Sequence, residues 1–72
     1  MNERCEDIDG WKVRLQRSTN GEYPKFHAEA RDDVWGRYAE TFADDAYDAL
    51  SKLADRANLD RDEVLITFGI TP

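Results

Sequence analysis

The sequence predicts an α+β fold: a three-stranded antiparallel sheet packed on one α-helix, with a short C-terminal helix or strand. Three observations carry that expectation. Two alternating segments mirror each other about Asn20-Gly21, an apolar stripe of helical period follows from Phe42, and 72 residues allow only one thin core.

Residues 1–9 read as a flexible acidic leader, with Glu3, Glu6, Asp7 and Asp9 against Arg4. Residues 10–72 read as a single small α+β domain. The first strand, from Gly10 to Arg17, alternates Trp11, Val13 and Leu15 with Lys12, Arg14 and Gln16. Asn20 and Gly21 tolerate the positive φ of a two-residue hairpin loop. Folding there sets Trp11 opposite Ala30, Val13 opposite Ala28 and Leu15 opposite Phe26 on an apolar face. Lys12, Arg14 and Gln16 then meet Glu29, His27 and Lys25 on the other.

Residues 34–41 suit strand or helix. Gly36 inside a helix costs roughly 1 kcal/mol relative to Ala, which favours strand. Thr41 with Asp44 three residues on then opens a helix running from Phe42 to about Asn58. Its inner side carries Phe42, Ala46, Leu50, Leu53 and Ala57, and Asp44, Asp48, Ser51 and Asp55 line the opposite side. Residues 61–69 are open between helix and strand. Asp60 with Glu63 resembles a capping box and Gly69 suits a helix end, whereas Val64, Ile66, Phe68 and Ile70 prefer strand. Either way Leu65, Ile66 and Phe68 must bury, and the tail Val64–Ile70 is a candidate homo-oligomer contact.

Composition narrows function by exclusion. Apolar residues at 40% with eight aromatics argue for a folded chain despite 36% charge. The net charge of −6 is polarised: residues 1–9 carry −3, residues 10–31 carry +3, and residues 32–63 carry −6. One thiol, Cys5, excludes an internal disulfide, and no apolar stretch suits a membrane span or a signal peptide. A cytoplasmic protein without membrane contact is expected. His27 is the single histidine, so a zinc site would have to draw its remaining ligands from carboxylates. The scattered glycines form no phosphate loop, and the Asp pairs lack the pattern of a calcium loop. No enzyme, cofactor or metal centre is expected.

Two surfaces remain as candidates. Pairing the third strand so that Gly36 meets Ala30 and Arg37 meets Glu29 would present Lys12, Arg14, Lys25, His27, Arg31, Trp35 and Arg37 as a basic face able to read nucleic acid. Ala28-Glu29-Ala30-Arg31-Asp32, Val34-Trp35-Gly36-Arg37-Tyr38 and Thr41-Phe42, followed by the helix from Asp45 to Leu50, resemble the DNA-binding domains of plant ethylene-response factors. Phage integrase amino-terminal domains share that architecture. The resemblance spans about 30 residues and implies groove-reading roles for Arg14, Arg31, Trp35 and Arg37.

The competing surface is an acidic ridge of Glu40, Asp44, Asp48, Asp55, Asp60, Asp62 and Glu63. Rows of carboxylates can imitate phosphates and occupy a partner's basic groove. In size and charge the chain is similar to the small acidic inhibitors of bacteriophages, anti-CRISPR proteins among them. The leading expectation is a non-enzymatic protein-interaction module that binds a partner protein with a basic surface. Nucleic-acid binding through the sheet comes second.

Overall fold

In the computed structural model, which describes residues 3–18 and 24–72, Asp9 and Gly10 take φ of 50° and 86°. Positive φ at both central residues is the tight-hairpin requirement that Asp-Gly meets best. This turn joins β1 (Glu3–Ile8) to β2 (Trp11–Arg17), with Ile8 opposite Trp11. Then follow β3 (Phe26–Asp32), β4 (Arg37–Ala43), α1 (Ala46–Ala57) and α2 (Arg61–Thr67). The sheet is antiparallel in the order β1-β2-β3-β4. It therefore has four strands where three were expected, and the segment read as a flexible leader supplies the fourth. No helix of the described residues is long and apolar enough to cross a membrane.

Both predicted registers need correction. Val13 pairs with Ala30, Arg14 with Glu29 and Leu15 with Ala28. Each pair lies two positions from the expected one, so every side chain keeps its face. The Asn20-Gly21 turn itself lies outside the described residues. Between β3 and β4 the offset is three positions: Arg37 meets Asp32, Ala39 meets Ala30 and Glu40 meets Glu29. An odd shift turns the strand over, so Ala39, Thr41 and Ala43 face the helices and Tyr38, Glu40 and Phe42 face away.

The strand alternative for residues 34–41 holds in its second half, because β4 begins at Arg37 and residues 33–36 form a turn. β4 runs on through Ala43, so Phe42 is not a helical residue, and its side chain is 51% exposed. The cap of α1 is Asp45 in place of Thr41: its carboxylate accepts from the Asp48 N–H at 2.7 Å. Thr41 is buried instead and donates to the Ala49 carbonyl at 2.7 Å. Asp45→Ala should lower stability by about 1 kcal/mol, read as a shift in the urea midpoint.

Helix α1 lies against β4 and β3, and α2 packs on α1. Alanines at 28, 30, 43, 49, 54 and 57 are buried and bring helix and sheet close. Leu50, Leu53, Leu65, Val13 and Val64 are fully buried and fill the remaining volume, with Trp11 and Phe68 nearly so. At about 25 cal/mol per Å² of apolar area removed from water, these residues dominate the favourable side of folding.

The tail is helical, as its capping signals indicate. Asp60 accepts from the Glu63 N–H at 3.0 Å, and Gly69 has φ 76°. Bonds from Gly69 to the Ile66 carbonyl and from Ile70 to the Leu65 carbonyl close a Schellman end. Arg4 on β1 donates to the Thr67 and Phe68 carbonyls, both at 3.1 Å, and ties the end of α2 to the sheet edge.

Candidate interaction surfaces

Alternation along the strands places Lys12, Arg14, His27 and Arg31 on the sheet face that no helix covers. The same face carries Glu3, Cys5 and Asp7 from β1, Glu29 from β3, and Tyr38, Glu40 and Phe42 from β4. Among the described strand residues, three permanent cations therefore stand among four carboxylates on this face. The expected basic face is a mixed one, for two reasons. Strand β1 adds its acids beside β2, and the odd register of β4 brings Glu40 to the face and removes Arg37 from it.

Pairing consumes part of the remaining positive charge. Arg14 bridges Glu3 at 3.1 Å and Glu29 at 2.8 Å, while Arg31 reaches Asp33 at 3.1 Å. A cation already balanced by protein carboxylates releases less condensed counterion from a phosphate backbone. Lys25 precedes β3 beside the carbonyl bond from Ser18.

Trp35 and Arg37 belong to a different feature, the β3–β4 corner. Asp32 is 3% exposed, and its Oδ1 accepts from the Val34 and Trp35 N–H groups at 3.0 and 3.3 Å. Its Oδ2 accepts from Arg37 Nε at 2.9 Å. The Arg37 guanidinium holds the Asp32 carboxyl below its ordinary range, and the two backbone donors act in the same direction against burial. Arg37 also lies 4.5 Å from the centroid of the Trp11 ring. The corner leaves Val34 and Trp35 projecting, 83% and 77% exposed. Arg37 thus serves the corner itself, and Trp35 sits on its exposed tip.

Of the seven acids expected to form a ridge, six lie on the helices or just before them and are exposed. Asp48 and Asp55 lie seven residues apart on the outer side of α1, about 10.5 Å along its axis. Asp44 precedes the cap of α1, and Asp60, Asp62 and Glu63 form the cap and first turn of α2; all six are exposed. Glu40 does not join them. It lies on the open sheet face, where His27 and then Tyr38 hold its carboxyl below the ordinary range.

Residues 44–63 contain seven acids and three bases. Among those bases, Arg56 turns back to the Glu40 carbonyl at 2.6 Å, and Arg61 approaches Asp62 at 3.7 Å. Among the described residues, the carboxylates of Asp44, Asp48, Asp55 and Glu63 make no ion pair.

The tail offers less than its composition suggested for an oligomer contact. Val64, Leu65 and Phe68 are buried in this chain's own core, leaving Ile66 at 63% exposure. The sequence reading also missed a polar network on the open face. Tyr38 donates toward Glu29 at 2.8 Å and Glu40 at 3.0 Å, and His27 Nε2 lies 2.9 Å from Glu40. Only the β3–β4 register brings these residues together, so spacing in the chain carried no signal for it. No family model, curated protein or solved structure matches the chain.

Proposed function

We propose that this chain is a cytoplasmic, non-enzymatic interaction module of the phage-inhibitor kind. Its helical side engages a basic, nucleic-acid-binding surface of a partner protein and blocks access to it. The observation that supports this reading is the set of unpaired carboxylates on α1 and α2 just described. Carboxylates free of internal partners keep their charge available for a partner's Lys and Arg, and they steer encounter at a distance. Both helices are anchored from beneath by the core, so the acids are held on a rigid scaffold and little ordering is required on binding.

The test is capture of partners from nuclease-treated host extract by the tagged chain, followed by a nucleic-acid-binding assay on the captured protein. Asp48→Lys with Asp55→Lys should weaken capture on the order of tenfold or more, since like charges then meet across the contact. Lys12→Glu with Arg31→Glu should leave capture intact and the partner's nucleic-acid binding inhibited. The reverse pattern, loss with the sheet variant and retention with the helix variant, would transfer the function to the sheet face and to nucleic acid itself.

A further inference from the structure

Strands β3 and β4 gather a second constellation on the side of the sheet away from the acidic helices. Glu29 and Glu40 are direct cross-strand partners, a placement in which like charges repel. His27 and Tyr38, each two residues before one of these glutamates, share their face. The Tyr38 hydroxyl oxygen lies 2.8 Å from Oε2 of Glu29 and 3.0 Å from Oε2 of Glu40, so one neutral donor shared between them separates two anions.

The imidazole of His27 is held in place. Its ring stacks on Phe42 with centroids 4.5 Å apart and planes 9° from parallel, and its Nε2 points at Glu40. Donor atoms of His27, Glu29 and Glu40 all lie within 4.8 Å of one another. Arg14 occupies Oε1 of Glu29 and leaves Oε2 to the cluster.

We propose that His27 Nε2, one oxygen of Glu29 and one oxygen of Glu40 bind a single divalent transition-metal ion, with water in the remaining position. The carboxylates supply the ligands that a chain with one histidine otherwise lacks. An imidazole in the donor set favours Zn2+ and its first-row neighbours over Ca2+ or Mg2+. Bonds of about 2.0–2.2 Å bring tetrahedral ligands to roughly 3.4 Å from one another, a contraction that rotation of the two glutamates provides. The ion takes over from the Tyr38 hydroxyl the role of separating the two carboxylates, and the phenol keeps its proton. Cys5 lies on the same face but two strands away, about 9.5 Å across the sheet, and is outside this ligand set.

Calorimetric titration of the full chain with Zn2+ near neutral pH tests the site. One ion per chain is expected. Glu29→Gln and Glu40→Gln should each weaken binding on the order of tenfold or more, with the far-UV spectrum unchanged. Tyr38→Phe and Cys5→Ser should both retain one-to-one binding, and Co2+ should give ligand-field bands without a thiolate charge-transfer band. That spectrum of the unaltered chain decides the matter even where a substitution perturbs folding. Absence of binding at millimolar Zn2+, loss of binding in Cys5→Ser, or full binding in the Glu29→Gln/Glu40→Gln double variant would overturn the proposal. None of these outcomes bears on the acidic helices, whose role is tested separately.

Discussion

Leu53→Ala is expected to lower the stability of the folded chain by about 2–5 kcal/mol, the range for emptying a buried leucine site. Leu53 has no exposed surface and sits in the one core shared by the sheet and both helices. The core cluster that holds it is rich in alanine, which has no longer side chain to swing into a vacated space. A chain of 72 residues has total stability of roughly 4–11 kcal/mol at about 0.05–0.15 per residue, so the loss is a large share of it. Urea unfolding should show the midpoint falling at an unchanged slope, and Lys52→Ala, one position away and exposed, should change little. A Leu53 variant within the error of the unaltered chain would show that helix and sheet do not share this core.

Asp32→Asn is expected to loosen the β3–β4 corner and to flatten the acid limb of the stability curve. The carboxylate is buried and serves two backbone N–H groups and Arg37 at once, so an amide leaves Arg37 without its charge partner. Its folded pKa is depressed below the ordinary 3.8. The stabilisation is therefore fully present above about pH 3.8 and is lost as pH falls through the lower folded value. Asn cannot ionise, so the difference between variant and parent should be largest above pH 3.8 and should shrink in stronger acid. The Trp11 contact with Arg37 should loosen in parallel, giving a change in indole fluorescence before global unfolding. A constant difference across the acid range would remove the proton linkage assigned to Asp32.

How much of this could be read from the residues depended on how local each signal was. The capping of α2 by Asp60 and its termination at Gly69 were legible, because each involves groups within a few positions in the chain. The inner stripe of Leu50, Leu53 and Ala57 was legible for the same reason. The start of α1 was misplaced by several residues because Thr41, Asp44 and Asp45 all suit a cap, and only the length of β4 chooses Asp45. Asp9-Gly10 carried a hairpin signal as good as Asn20-Gly21. It was obscured because β1 buries only Ile8 and is otherwise polar, so its composition resembles a solvated leader.

The candidate surfaces followed the same division. Asp48, Asp55, Asp60, Asp62 and Glu63 are exposed because helix period and capping require it, and those rules operate inside single elements. The make-up of the sheet face differed from expectation because it depends on how strands align with each other.

From the chain alone came the α+β class, the alternation of β2, the apolar stripe of α1, the cap of α2 and the acidity of the helical side. Only the tertiary structure decided that β1 joins the sheet, that Arg37 serves Asp32, and that His27, Glu29, Tyr38 and Glu40 meet. The reason is geometric. A strand's side chains alternate with period two, so an offset of one or three positions against its neighbour reverses which side each residue faces, and that offset is set by packing the whole core at once.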